Sequence, residues 1–168
     1  HPRMVLVRDK TAPDGPASIA ATCLAFPASP IAVERGVITR AAAIVTTLAT
    51  LRFLWNSPQG PDPDATGYHG FYYHFLDMQT GKRAWQCELS TIDSAILLAG
   101  CLVAGTYFDA DTTDEKEIRN LADALYGRAD WAWAQNGGLT GTQGWKPESG
   151  FLPYRWEGYD EALILYIL

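Results

Sequence analysis

Basic clusters are missing from this sequence. Thirteen lysines and arginines against nineteen acidic residues give a net charge of −6, and no segment gathers the positive charge needed to displace counterions from phosphates. A nucleic-acid partner is not expected. Long apolar runs are missing too. No stretch reaches the roughly 18 uninterrupted apolar residues of a membrane span, and the opening HPRMVLVRDK holds neither the apolar core nor the cleavage site of a signal peptide. No membrane partner is expected, and the sequence names no compartment. Cys23, Cys87 and Cys101 make neither a C-x-x-C pair nor an even-numbered framework, and each sits among apolar or small neighbours, so three packed thiols are expected. Phosphate-loop, dinucleotide and nucleophilic-serine signatures are absent, which removes the usual anchors of those chemistries.

With 168 residues, 48% of them apolar, the chain can build one domain with a substantial core. After an irregular start, ASIAATCLAF reads as a short helix stopped by Pro27 and Pro30, since proline lacks a donor and disfavours helical geometry before it. TRAAAIVTTLATLRFLWNS is an amphipathic helix capped by Thr39, with Ile44, Leu48, Leu51 and Leu54 or Trp55 on one face. SPQGPDPDATGYHG is a loop. FYYHFLD, MQTG and KRAWQ predict a hairpin of two aromatic strands turning near Gly81. STIDSAILLAGCLVAGTYF predicts a buried helix opened by Ser90 and Asp93 as an acidic capping box, and TTDEKEIRNLADALYGRADWAWAQ a surface helix presenting Ile118, Leu121, Ala122 and Leu125. NGGLTGTQGWKPESGFLPYRWEG is a second hairpin-like insert, and YDEALILYIL begins another apolar helix. The order amounts to a weak repeat in which Asp93 and Asp160 align. Inner apolar helices alternating with outer amphipathic ones suit a ring of helical hairpins. EALILYIL stops inside its apolar stripe without a capping device, so the chain is expected to be cut at both ends.

Two clusters carry candidate chemistry, WQCELSTID and RWEGYDE. Each places a glutamate, Glu88 or Glu157, ahead of an aspartate, Asp93 or Asp160, where a helix begins. Unpaired N–H groups and the helix dipole favour ionised carboxylates there. Asp93 and Asp160 are equally readable as ordinary first-turn stabilisers. Glu88 and Glu157 lie outside the helices, where capping explains them less well. Glu148, beside Lys146, is readable as half of a loop salt bridge, and Asp77 as a turn former. Carboxylates sharing one cleft titrate together, so one can stay protonated while another is ionised, as glycoside cleavage requires. Glu88 and Glu157 are expected to face one cleft with carboxyl groups about 5–10 Å apart. Trp85, Trp145, Tyr154, Trp156 and Tyr159 offer flat apolar faces of the kind that receive sugar rings, although at least half of such hairpin aromatics are expected to be packing. The three-residue spacing of His74 and Asp77 turns the two to opposite faces of a strand, so His69 and His74 are read as packed or surface residues and no metal site is expected.

At these motifs the sequence resembles a known family. ERGVITR, TLRFLWNSPQG, GYHGFYYHFLDMQTGKRAWQCELSTIDSAILLAG and GWKPESGFLPYRWEGYDEALILYIL are similar to the bacterial glycoamylase-like domain, which is related to endo-β-1,2-glucanases and to a domain of cyclic β-1,2-glucan synthases. The resemblance runs from about Ala17 to the last residue. It implies a mainly α fold, an (α/α)6 toroid with short β-hairpin inserts, acting on a β-glucan without metal or cofactor. It carries Glu88 and Asp93 of CELSTID, and Glu157, Asp160 and Glu161 of RWEGYDEA, into the site. At roughly 30 residues per helix with its loop, the ring needs twelve helices, and residues 1–168 supply about five. The chain is thus expected to be the N-terminal part of one catalytic domain, inactive alone, with the rest of its barrel and a saccharide as partners. The competing readings are a non-catalytic carbohydrate-binding fragment and a structural helical array whose acids are only caps.

Overall fold

The computed structural model describes residues 6–12 and 14–168. The structure is mainly helical with two small sheets. In chain order the elements are β1 (Ala17–Ser18), α1 (Ile19–Glu34), α2 (Arg40–Asn56), β2 (Gly67–Tyr68), β3 (Phe71–Tyr73), β4 (Phe75–Leu76), β5 (Leu89–Ser90), α3 (Thr91–Tyr107), α4 (Thr113–Arg128), α5 (Trp131–Gln135), β6 (Gly144–Lys146), β7 (Gly150–Phe151) and a terminal 3-10 helix, Glu161–Tyr166. α1, α3 and the 3-10 helix pack in one row, and α2 and α4 in a second row behind it. β1 pairs with β4, and the other strands form one antiparallel sheet in the order β2-β3-β5-β6-β7.

The helix starts are local. Ser18, Thr39, Ser90 and Thr112 each cap their helix, accepting a hydrogen bond from the backbone N–H three residues on. α3 is buried along most of its length, and α4 buries Ile118, Ala122 and Leu125 on one face, as their patterning predicts. Cys23, Cys87 and Cys101 are buried free thiols.

Three expectations are corrected. α1 does not stop at Pro27 but continues through Pro27 and Pro30. An interior proline costs about 3 kcal/mol, yet α1 buries Ile19, Cys23, Phe26 and Pro30 along α3, each large apolar side chain contributing about 1.5–3 kcal/mol. Gly100 permits the close approach: a Cβ there would lie 2.7 Å from Cys23 Sγ and 3.0 Å from the Cys23 carbonyl, the one Pro27 leaves without its helical donor. The first hairpin also pairs differently. Its turn at Asp77 is present, but KRAWQ is not a strand; only an isolated bridge joins Leu76 to Arg83, and β3 pairs instead with β2 and β5. Phe71, Tyr72 and Tyr73 are all buried because the sheet is covered on both faces, so the expected alternation is absent. Finally, YDEALILYIL is a 3-10 helix in which only Ala162 is buried, so little packing opposes the tighter turn.

Arginines secure the helix ends. Arg128 donates to the Leu54 and Trp55 carbonyls at the end of α2 and to the buried Tyr72 hydroxyl, while Tyr72 donates to the Leu54 carbonyl. Arg40 grips Glu115 through two bonds of 2.9 and 2.7 Å, and Glu115, only 2% exposed, also accepts from the Ala110 N–H.

Two outcomes follow for denaturant unfolding. Gly100→Ala should lower stability by about 1–3 kcal/mol through overpacking, although alanine is the better helix former by about 1 kcal/mol. Arg40→Ala should cost about 3 kcal/mol near neutrality by stranding a buried carboxylate. Arg40 lowers the Glu115 pKa, so this contribution is present above the ordinary carboxylate range and should vanish as pH falls through the lowered value.

Candidate active site at the start of α3

Glu88 and Asp93 meet where α1 and α3 begin. β5 is hydrogen-bonded on both edges, with Leu89 opposite Tyr73 on one side and Trp145 on the other. Glu88 immediately precedes this strand and Ser90 ends it as the cap of α3. The Ser90 hydroxyl donates to Asp93 Oδ2 at 2.6 Å and accepts from the Asp93 N–H at 3.2 Å. Asp93 is therefore tied to the Ser90 hydroxyl rather than to the Ser90 N–H that a capping box would engage.

Glu88 meets a partner absent from the sequence reading. His74 Nδ1 lies 2.9 Å from Glu88 Oε1 and 3.6 Å from Asp93 Oδ2. The two residues are also joined through the backbone, where the His74 N–H donates to the Glu88 carbonyl at 3.0 Å. Spacing to Asp77 could not reveal this, because the pairing is across strands; the accessible signal was His74 in an aromatic strand close in sequence to an isolated glutamate. The hydrogen bond to Glu88 raises the His74 pKa, and the bond from His74 lowers that of Glu88. Glu88 is thereby held ionised. Its stem lies against β6, since a Cβ on Gly144 would come within 3.1 Å of Glu88 Cγ and 2.5 Å of the Leu89 carbonyl.

Beside this cluster the backbone is strained in support of an exposed ring. Trp85 and Gln86 adopt left-handed φ values of 55° and 51°, which non-glycine residues rarely do. The Arg83 side chain, only 2% exposed, holds them: it donates to the Gln86 and Cys87 carbonyls and reaches Glu148 Oε1 at 2.6 Å. The salt-bridge partner of Glu148 is thus Arg83, not Lys146, and the pair ties the two hairpin inserts together. Trp85 is 67% exposed. It contacts Phe75, which stacks on the His74 ring. It also borders a polar recess of about 260 Å³ with Arg8, Asp77 and Gln79. Asp77 itself accepts from the Gln79 and Thr80 N–H groups and the Thr80 hydroxyl, forming the turn.

The remaining candidates divide. Trp145 is partly buried among Tyr68 and Trp133, a packing role. Trp156 is half-buried and donates its indole N–H to Thr91 Oγ1 at 3.0 Å, docking its segment against the start of α3. Glu157 follows it, exposed, accepting from Thr140 Oγ1 at 3.4 Å. Asp160 caps the 3-10 helix through the Ala162 N–H, and Glu161 lies exposed in its first turn. Tyr154 and Tyr159 are 67% and 93% exposed. His69 sits apart from Glu88, stacked on Trp133 and 3.2 Å from Asp130.

The chain is similar to known proteins over almost its whole length. It is 27% identical over 144 residues to an exo β-1,2-glucooligosaccharide sophorohydrolase (non-reducing end) of Parabacteroides distasonis, an alignment covering 81% of this chain and 19% of that protein. A provisionally named glucoamylase from Bacteroides uniformis superposes with a TM-score of 0.86 at 26% identity, over 99% of this chain and 40% of that one. The endo-β-1,2-glucanase of Chitinophaga pinensis, solved with sophorotriose and glucose, shares the fold with a TM-score of 0.83 at 22% identity, over 96% and 40% of the two chains. No family model matches the chain. The chain spans only 19–40% of the length of these relatives. In sequence and fold the chain is therefore similar to provisionally named glucoamylases and to β-1,2-glucan hydrolases.

Proposed function

We propose that this chain forms one wall of the cleft of a longer glycoside hydrolase, an (α/α)6 toroid that cleaves a β-glucan, with β-1,2-glucan the foremost substrate. The observation that carries this reading is the carboxylate pair Glu88 and Asp93, held around His74 at the start of a buried helix, beside the exposed face of Trp85. The names of the relatives, hydrolases of β-1,2-linked glucosides, supply the substrate class. The two rows of helices, with α1, α3 and the 3-10 helix all starting on the sheet side, suit an inner and an outer layer of such a ring.

Glycoside cleavage needs one carboxylic acid to protonate the leaving oxygen and one carboxylate to activate water or attack the sugar carbon. Glu88, held ionised by His74, suits the second role. Glu157, on the segment that Trp156 docks against Thr91, is the proposed acid. Asp93 supports Glu88, and Asp160 and Glu161 flank Glu157. Trp85 serves as a platform for the apolar face of a glucosyl ring, with Asp77, Gln79 and Arg8 offering hydrogen bonds to its hydroxyls. Tyr154 and Tyr159 extend the platform surface, whereas Trp145, Trp156 and Glu148 act by holding the wall together.

Tests use the full chain of the longer protein, in which residues 1–168 form one wall, with β-1,2-gluco-oligosaccharides. Glu88→Gln and Glu157→Gln should each lower kcat by about 10²–10⁴-fold while saccharide binding by calorimetry survives. Undiminished hydrolysis in either variant would remove that residue from the reacting pair. Saccharide binding without hydrolysis by the wild-type full chain would favour a carbohydrate-binding module instead. Trp85→Ala should weaken oligosaccharide binding roughly tenfold, the loss of about 1.4 kcal/mol of ring contact; unchanged affinity would show that the recess is not a subsite.

A further inference from the structure

We propose that His74 is a positioning residue of this site: its Nδ1–H fixes the orientation of the Glu88 carboxylate, and its positive charge lets Glu88 and Asp93 be ionised side by side. The inference rests on the reading that Glu88 belongs to the reacting pair.

A structural role for His74 is already fulfilled by its backbone. The His74 N–H donates to the Glu88 carbonyl at 3.0 Å and its carbonyl accepts from the Ile19 N–H at 3.2 Å, joining β3 to the residue before β5 and to the start of α1. Any residue but proline makes both bonds. The imidazole is surplus to that pairing, and its placement is specific. One nitrogen lies 2.9 Å from Glu88 Oε1 and 3.6 Å from Asp93 Oδ2, and the ring is held flat against Phe75 at a centroid distance of 4.0 Å. Asp93 is fixed from the other side by the Ser90 hydroxyl at 2.6 Å. The Nδ1 edge of the imidazole thus faces both carboxylates, of which Asp93 is held by Ser90 and Glu88 by the imidazole itself.

The charges facing the ring come from three further elements. Glu88 approaches from the segment before β5, Asp93 from α3 and Asp9 from the N-terminal segment, all of which favour the imidazolium. Lys146 acts on Glu88 from β6 and favours its ionised form. The sign of the pH dependence follows. With His74 raised, the charged bridge is complete below the ordinary histidine value of about 6.5 and is lost as pH rises through the raised value. With Glu88 lowered, the bridge persists as pH falls past the ordinary glutamate value of about 4.3, until Glu88 protonates at its lowered value. Above the His74 pKa the neutral ring still donates through Nδ1 but no longer offsets two adjacent negative charges. Glu88 then becomes more basic and less firmly oriented, which places an alkaline limit on the site.

The test compares His74→Phe, which keeps the stacking on Phe75 and removes the donor, with His74→Asn, whose amide nitrogen stands near the Nδ1 position and donates without titrating. In the full chain, His74→Phe should lower kcat about tenfold to a hundredfold with little change in KM, the expected effect of a misoriented reacting group. His74→Asn should recover only the part of that loss due to orientation, reaching the level the wild type keeps above its alkaline limb, and that limb should disappear from its pH profile. With histidine-selective ¹⁵N labelling, His74 should titrate above about 6.5 in the wild type and shift down in Glu88→Gln. Wild-type kinetics in His74→Phe, or an Asn variant no better than Phe with the alkaline limb intact, overturns the proposal. If His74→Phe fails to fold, the pH profile of His74→Asn and the histidine titration decide alone. Full activity in Glu88→Gln overturns the assignment of Glu88 and this proposal with it, whereas loss of activity in Glu88→Gln beside a fully active His74→Phe overturns this proposal only.

Discussion

Leu89 and Ser90 are hydrogen-bonded to strands on both sides and end in the cap of a buried helix, and the arrangement of the site depends on that short double pairing. β3 fixes them from the first hairpin insert and β6 from the second. The register sets which residues flank them: Glu88 faces His74, while Ser90 turns into α3 and holds Asp93. Because side chains alternate along a strand, a slip of one residue would turn Glu88 to the opposite face, away from His74. Gly144 enforces the close approach on the β6 side, where a side chain would collide with the Leu89 carbonyl.

Charge is distributed to serve the same end. The chain is acidic overall, yet its well-covered ionic contacts are made by arginines acting as struts. Arg128 satisfies the carbonyls at the end of α2, Arg40 neutralises the buried Glu115, and Arg83 spans from the Trp85–Cys87 segment to Glu148. Planar guanidinium groups suit these sites because several fixed donors can satisfy carbonyls and carboxylates at once. The acids at the start of α3 are balanced differently, by a histidine whose charge depends on pH. The struts are built on guanidinium groups of permanent charge, whereas the cluster at the start of α3 is built on an imidazole whose charge titrates.

Local signals in the sequence read well where the physics is local. Thr39 and Ser90 cap the helices they precede, Asp77 forms a turn, and the patterned faces of α2, α3 and α4 are buried. Signals failed where distant contacts outweighed them. Pro27 and Pro30 sit inside α1 because burial against α3 offsets two lost backbone bonds. KRAWQ has strand-like composition but bends through two left-handed residues, held by Arg83 from within the segment and by Glu148 from beyond it. Trp145, legible as a sugar platform, is partly buried against Tyr68 and Trp133, contacts that the sequence does not announce.

By itself, the sequence determined the helical class, the two aromatic inserts, the family resemblance and the acids at helix starts, because capping, periodicity and motif identity are properties of neighbouring residues. Only the tertiary structure decided which acid has which partner. His74 and Glu88 are fourteen residues apart and meet because β3 and the segment before β5 run antiparallel. Arg83 and Glu148 are 65 residues apart and meet because β6 joins the same sheet. Cross-strand pairing leaves no fixed spacing in the chain, so the protonation chemistry of the site is set by a register that no single stretch of sequence encodes.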